Sequence, residues 1–311
     1  IYSKLISYKT SAGNGQVPEM AGWLAQQFRD AGFPDADIHL LPVGETASLV
    51  VRYRGNGTGG KPILLMAHMD VVAADPKDWT RDPFTLIEEN GYFFGRGTSD
   101  VKDGVATLSS TFLRLKAEKF VPTRDLVIVF TGDEETEMAT TQDLVNHHKD
   151  LLDADYALNY DGGGGTLEED GKARTYSLQT AEKTYADYEI TVHNPGGHSS
   201  WPRPDNAIYQ LADALKKVQA YRFPTMWNDT TLAEFRAEGK VAPGELGKAM
   251  TDFAANPRDE SAVERLTKDT SQIGRTRTTC VATMLRGGHA KNALPQSATA
   301  NINCRIFPGV A

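Results

Sequence analysis

The sequence predicts an α/β fold in which a mixed, largely parallel sheet is flanked by helices and a smaller α+β domain is inserted after it. Two observations support this prediction. Apolar runs typical of buried strands alternate with segments of helical periodicity from Val17 to Asn159. Near Glu182 the pattern changes to longer alternating strands and an amphipathic helix. Since 311 residues are too many for one ordinary hydrophobic core, two domains are expected, residues 1–182 and residues 183–311.

Each predicted element has its own local signal. The opening helix carries apolar side chains at helical spacing and ends before Gly32, a suitable helix cap. In the first domain we predict helices at 17–31, 104–119 and 141–148 and strands at 38–43, 48–53, 62–67, 125–130 and 156–159. In the second we predict a helix at 205–220 and strands at 185–192, 278–285 and 298–307. Residues 221–276 are polar and helix-prone, and the sequence alone does not assign them.

Composition excludes some classes of function. The formal charge is −8 and no run of Lys or Arg offsets it locally, which argues against a nucleic-acid partner. A carboxylate-rich cavity that holds divalent cations fits this balance better. No apolar run approaches the ~20 residues that cross a bilayer, so no membrane span is expected.

Histidine and acidic residues follow the predicted strands or a glycine-rich turn in a fixed order. Such positions present side chains to the ligand crevice of an α/β sheet. The residues are His68, Asp70, Asp100, Glu134, Glu135 and Asp161. Together they predict a two-metal hydrolase site.

The spacing within each cluster suggests a division of work. His68 and Asp70 project from the same side of an extended chain, so one can bind metal while the other fixes the imidazole. Glu134 and Glu135 are adjacent and point in different directions, so one can bind metal while the other acts as general base. The alternatives are a helix N-cap at Ser99 or Asp100 and a solvated acidic loop around the two glutamates.

Four segments resemble the motifs of the dinuclear zinc exopeptidases that include carboxypeptidase G, aminoacylase-1, carnosine dipeptidase and succinyl-diaminopimelate desuccinylase. They occur in the family's order: Leu64-Leu65-Met66-Ala67-His68-Met69-Asp70, Gly95-Arg96-Gly97-Thr98-Ser99-Asp100-Val101-Lys102, Thr131-Gly132-Asp133-Glu134-Glu135 and Gly196-Gly197-His198-Ser199-Ser200. Asp103 stands where the family usually has a small residue.

The resemblance implies two zinc ions per subunit, with cobalt or manganese as alternatives. His68 would bind one ion and Glu135 the other, Asp100 would bridge them, and Asp161 would complete the His68 side. The peptide bond after Asp100 is expected to be cis in such enzymes.

The resemblance also implies roles around the metals. Asp70 would orient His68, and Glu134 would take a proton from a metal-bridging water and return it to the leaving amine. The smaller domain would be a lid through which two chains dimerise, and His198 would stabilise the oxyanion in the partner's active site. Asn292 and Arg305 would grip a substrate carboxylate.

The predicted activity is zinc-dependent hydrolysis of an amide bond in small peptides or N-acyl amino acids, like a carboxypeptidase or dipeptidase. The alternative is an inactive fragment or a hydrolase-like scaffold that serves dimerisation or binding. This alternative arises because the family has a final metal-binding histidine in a C-terminal return of the catalytic domain, and this chain ends at Ala311. Without that return, we expect either a fragment or a zinc near Glu135 that water or another chain must complete.

Cys280 and Cys304, the only cysteines, lie in two strands that could pair. Two buried free thiols are the slightly favoured interpretation, and the alternative is a cross-strand disulfide. The chain begins at Ile1 without an initiator Met, which suggests a processed or trimmed chain. Together with the cysteine pair, this favours a secreted or periplasmic protein over a cytoplasmic one.

Overall fold

The computed structural model describes residues 1–310, which form two compact units, the first from Ile1 to Gly164 and the second from Gly165 onward. The helices of the first unit are α1 Tyr2–Ser7, α2 Val17–Asp30, α3 Lys102–Ala117, α4 Ala139–His147 and α5 Lys149–Leu152. Its strands are β1 Ile38–Val43, β2 Thr46–Tyr53, β3 Ile63–His68, β4 Ile87–Glu89, β5 Tyr92–Phe94, β6 Leu126–Thr131 and β7 Tyr156–Asn159. The predicted elements are present with ends that differ by a few residues, whereas α1, α5 and the β4–β5 hairpin were not predicted.

A five-stranded sheet with the order β1-β2-β6-β3-β7 forms the centre of the first unit. β3 runs parallel to both β6 and β7, while β2 is antiparallel to β1 and β6. The apolar residues of β6 are buried from Val127 to Phe130, as expected for a central strand covered on both faces. The predicted mixed, largely parallel α/β sheet is confirmed. Because β3, β6 and β7 are parallel, their carboxyl ends lie at one edge.

The first helix of the predicted pattern covers this sheet. α2 buries Met20, Leu24 and Phe28 on one face, at the helical spacing visible in the sequence. Gly32 follows the helix with a φ of +83°, a conformation that residues with a Cβ rarely adopt. The chain therefore leaves α2 and turns back into β1.

The second unit contains an antiparallel sheet and a group of helices. Its strands are β8 Gly164–Leu167, β9 Ala173–Ser177, β10 Thr184–His193, β11 Gly197–His198, β12 Thr279–Gly287, β13 Ala293–Leu294 and β14 Ser297–Ile306. Its helices are α6 Ala207–Ala220, α7 Asp229–Glu238, α8 Gly244–Ala255, α9 Glu260–Thr267 and α10 Thr270–Ile273. β14 lies between β10 and β12, and α6 packs its buried Leu211 with Ala300 and Ile302 of β14.

Residues 221–276, which the sequence left unassigned, contain the four helices α7–α10 with a hydrophobic core of their own. Phe235, Met250, Phe253 and Leu266 are buried in it. Asn228 and Asp259 cap the starts of α7 and α9 with their side chains. We call α7–α10 the helical module.

The cysteines are bonded to each other, so the favoured free-thiol interpretation was wrong. Cys280 and Cys304 face each other across the β12–β14 ladder and form a disulfide. None of the helices in residues 1–310 is both long enough and apolar enough to cross a membrane. The predicted division at residue 182 lies later than the boundary between the compact units, and the lid role of residues 183–311 stays a prediction.

Candidate metal centre

The first unit gathers the predicted ligands at the carboxyl edge of its sheet. We call His68, Asp70, Asp100, Glu134, Glu135 and Asp161 the acidic cluster. His68 is the last residue of β3, and Glu134 and Glu135 lie in the turn after β6. Asp161 follows β7 by two residues. The parallel arrangement of these strands brings together residues that are far apart in the chain.

His68 is at the centre of the cluster and is only 2% exposed. Its Nε2 lies 3.0 Å from Oδ1 of Asp100, 3.8 Å from Oδ2 of Asp161 and 3.9 Å from Oε2 of Glu134. The side chains of Asp100 and Glu134 are partly open to solvent. One buried imidazole nitrogen therefore faces three carboxylates.

Asp70 contacts both His68 and the turn after β6. Nδ1 of His68 lies 3.0 Å from the main-chain oxygen of Asp70 and 3.4 Å from its carboxylate. The carboxylate itself accepts hydrogen bonds of 3.0 Å from the main-chain N–H groups of Glu134 and Glu135. Asp70 therefore holds the backbone that carries both glutamates, a contact that spacing along the chain did not predict.

Asp100 comes from the loop before α3, and the peptide bond between Asp100 and Val101 is cis. The N-cap of α3 is Val101, with no side-chain capping bond. The alternative of Asp100 as a helix cap is therefore wrong, and its carboxylate is directed to His68 instead.

A glycine in the first turns of α3 helps to position the end of β7. A Cβ on Gly104 would lie 2.5 Å from the ring of Tyr160, far inside van der Waals contact. The N–H of Tyr160 is bonded to the carbonyl of Met66 in β3 at 2.9 Å. Tyr160 is therefore fixed between α3 and β3 directly before Asp161.

Negative charge dominates the electrostatics of the acidic cluster. Burial lowers the pKa of His68, but Asp70, Asp161 and Glu134 outweigh burial and raise it to about 9. Burial raises the pKa of Glu134, and although His68 lowers it, Asp161 and Glu135 raise it again. Burial and the charge of Asp100 likewise raise the pKa of Glu135. Without a cation, these carboxylates repel one another.

The donor set is of the kind that holds divalent cations. The ligand atoms of His68, Asp100 and Glu135 lie within 4.8 Å of one another, and so do those of His68, Glu134 and Asp161. Imidazole nitrogen and carboxylate oxygen are ligands that zinc accepts. Bound cations would relieve the repulsion among the carboxylates. The assignment of each residue to one ion stays a prediction.

The remaining predicted site residues lie in the second unit. His198 is exposed, pairs with Ala293 between β11 and β13, and has its Nδ1 2.8 Å from Oγ of Ser200. The N–H of Ser199 is bonded to the carbonyl of Asn292 at 3.0 Å, so His198 and Asn292 are close along this edge.

Arg305 is near the far end of β14, where its guanidinium lies 4.7 Å from the ring centre of Tyr185. It is eight residues beyond Ser297, the start of β14, which is about 26 Å in an extended strand. Asn292 precedes Ser297 in the chain and lies beyond the other end of the β10–β14 ladder. There β13 pairs with β11. Asn292 and Arg305 are therefore apart within one chain, and their shared role stays a prediction.

Two further residues hold the segments around the cluster, and their roles were not predicted although both stand in the quoted motifs. Asp133 is buried, and its carboxylate accepts bonds from the N–H groups of Ala139 and Thr140 at the start of α4. It is six residues before the helix, so the usual capping spacing does not reveal it. Lys102 is fully buried, and its Nζ donates to the carbonyls of Leu5 and Tyr8. A lysine directly after an acidic motif was the available signal.

The fold is an α/β fold, and the acidic cluster is a candidate metal centre at the carboxyl edge of its sheet. Residues 64–286 match the sequence profile of Peptidase family M20/M25/M40. The chain therefore belongs to this family, and the predicted family resemblance is confirmed. Peptidases of the family are metal-dependent hydrolases.

Two curated relatives and one solved structure illustrate the similarity. N-fatty-acyl-amino acid synthase/hydrolase PM20D1 of Homo sapiens is 28% identical over 272 residues, which are 86% of this chain and 53% of the relative. Carboxypeptidase S of Saccharomyces cerevisiae is 28% identical over 292 residues, 88% of this chain and 50% of the relative. The M20 family metallo-carboxypeptidase Sso-CP2 from Sulfolobus solfataricus has a TM-score of 0.68 at 18% identity, over 99% of this chain and 71% of that one. The chain thus spans about half the length of these two curated relatives.

Proposed function

We propose that the protein is a zinc-dependent amidohydrolase that cleaves one amide bond in a small peptide or an N-acyl amino acid. The observation that carries this proposal is the convergence of one buried imidazole and several carboxylates on two overlapping sets of ligand atoms. The names of the relatives, an N-fatty-acyl-amino acid hydrolase and a carboxypeptidase, support the substrate class. Both kinds of substrate present an amide next to a carboxylate.

In this proposal the protein's own residues hold the cations and move protons. His68 and Asp161 would hold one ion and Glu135 the other, and Asp100 would be shared by both. A zinc pair would supply polarisation of the scissile carbonyl and a water of lowered pKa. Glu134 would take a proton from the attacking water and return it to the leaving amine. Two features support this role: its main chain is fixed by Asp70, and its partly exposed carboxylate is accessible to substrate.

The second unit contributes to the same proposal. An exposed imidazole such as that of His198 suits oxyanion stabilisation in a partner chain of a homodimer, with residues 183–311 as the lid. Asn292 and Arg305 would bind the substrate carboxylate. Sedimentation of the protein checks the dimer, and a purely monomeric enzyme with full activity would count against this part.

The decisive experiment is substitution of Glu134 by Gln. Loss of the general base should lower kcat by about 10²–10⁴-fold, while the bound zinc measured by elemental analysis is unchanged. Glu137→Gln is the matched control, because Glu137 is an exposed acid in the same turn. A panel of dipeptides and N-acyl amino acids, assayed with added zinc, serves to find the substrate.

Two outcomes would contradict the proposal. Hydrolysis that survives exhaustive chelation would show that the acidic cluster does not hold an essential metal. A protein that binds two zinc ions but cleaves none of the panel would favour the alternative of a binding scaffold.

A further inference from the structure

A cavity of about 480 Å³ lies in the second unit between the segment before α7 and helix α9. We call it the arginine cavity, and the residues of its wall that matter here are Arg222, Phe223, Trp227, Arg258, Val263 and Arg277. None of these residues belongs to the acidic cluster or to the predicted substrate contacts. The function proposed above gives this cavity no role.

Arg277 is the unusual residue in the wall. It is only 8% exposed, and its Nε is buried without a hydrogen-bond partner. One Nη donates a long bond of 3.3 Å to Oγ1 of Thr267. Within residues 1–310, no carboxylate forms an ion pair with it. Burial lowers the pKa of Arg277, and the charge of Arg222 lowers it further. A buried charge without a partner is costly, so its retention needs a reason.

Two arginines near Arg277 are each paired with a carboxylate. Arg265 is bound to Asp252 at 2.6 Å, and Arg275, two residues before Arg277, is bound to Glu238 at 2.7 Å. A carboxylate therefore neutralises each of these two guanidinium groups. The lack of one at Arg277 is a local feature of the cavity.

The rest of the wall combines apolar surface with positive charge. Phe223, Trp227 and Val263 are half-buried, and the guanidinium of Arg258 lies 5.9 Å from the ring centre of Trp227. Two glutamates also border the cavity, Glu260 and Glu264, but both are exposed. The buried part of the wall is therefore cationic and aromatic.

We propose that the arginine cavity binds an organic carboxylate with an apolar body, with the carboxylate at Arg277 and Arg222 and the body against Trp227 and Phe223. A guanidinium is suited to hold a carboxylate through two parallel hydrogen bonds. Cavities of several hundred Å³ with apolar walls and a few polar groups are typical of small-molecule sites. A medium-chain fatty acid has the required size and charge.

The test is a titration of decanoate into the whole chain, in which calorimetry and tryptophan fluorescence measure binding. The variant Trp227→Phe serves as the reference that identifies the fluorescence of Trp227. Decanoate should bind with one equivalent per chain. Arg277→Met should weaken this binding at least about tenfold, the loss expected for one charge-assisted contact. Lys240→Met is the control, because it removes the same charge from an exposed position of the helical module.

Further probes and a second variant separate the contribution of the charge from that of the apolar body. Acetate, which lacks the apolar body, and decylammonium, which has the opposite charge, should bind far more weakly than decanoate. Arg222 is exposed, so Arg222→Met leaves the fold intact and should also weaken decanoate binding several-fold. Equal binding of decanoate and decylammonium, or unchanged decanoate binding in both arginine variants, would overturn the proposal. Zinc binding should be the same in all these variants. A failure of the proposed anion site is therefore distinguishable from a failure of the proposed hydrolase function.

Discussion

The acidic cluster of the first unit and the arginine cavity of the second both concentrate charge, negative in the cluster and positive in the cavity. Each collects like charges in partly buried surroundings without enough opposite charge from the chain. Carboxylates raise the pKa of His68 to about 9 in the first, and burial together with the charge of Arg222 lowers the pKa of Arg277 in the second. Buried charge that the chain does not neutralise therefore indicates a counter-ion from outside the chain. The sign of the buried charge indicates whether this counter-ion is a cation or an anion.

The two regions differ in how their groups are held. In the acidic cluster, most of the residues lie at or just after strand ends, and backbone hydrogen bonds fix the carboxylate of Asp70. In the arginine cavity, the long side chains of Arg222, Arg258 and Arg277 come from loops and line a partly apolar space. Metal ions need ligands at set distances, whereas an amphiphilic anion tolerates an adaptable wall. The difference in rigidity therefore matches the two proposed ligands.

The largest expected effect is stabilisation by zinc through the acidic cluster alone. Free zinc at 100 times its Kd should raise the free energy of unfolding by about 2.7 kcal/mol, because the ion binds the folded state. Asp100→Asn should remove most of this gain, and Arg277→Met should keep it. Urea unfolding with and without chelator measures the effect. An equal loss in both variants would break the distinction between the two regions.

A smaller effect should follow from crowding the acidic cluster at Gly104. Gly104→Ala places a methyl group against the ring of Tyr160 and should cost about 1–3 kcal/mol of the free energy of unfolding. It should also weaken zinc binding, because Tyr160 precedes Asp161. Gly22→Ala is the matched control: Gly22 lies in α2 with no atom within 4 Å of an added Cβ, so alanine should stabilise by about 0.5–1 kcal/mol. Unchanged zinc affinity in Gly104→Ala would contradict the rigid-ligand view of the cluster.

The smallest expected effect is at Arg277 in the absence of any anion. Arg277→Met replaces an unpaired buried charge by an apolar chain of similar length and should raise the free energy of unfolding by about 1 kcal/mol. Arg275→Met should lower it, because Arg275 has carboxylate partners. Denaturant titration of both variants measures the sign of each change in the free energy of unfolding. Destabilisation by both substitutions would mean that Arg277 is an ordinary structural arginine.

Much of the fold and of the acidic cluster could be predicted because the signals are local. Apolar runs identified β3 and β6, and the predicted ligands His68 and Glu135 lie at the end of β3 and in the turn after β6. The helical module could not be predicted, since its core joins Phe235 to Phe253 and Leu266 across polar segments. The disulfide was misjudged because only the β12–β14 register makes the cysteines face each other.

The sequence by itself determined the strands, the order of the acidic motifs and the family, because each of these is written in neighbouring residues. Tertiary structure decided the rest. It directed the carboxylate of Asp70 to the backbone of the two glutamates, made Asp133 a support for α4, and left Arg277 buried without a carboxylate. These outcomes depend on which side chains meet after the chain has packed, and distance along the sequence carries little information about such meetings.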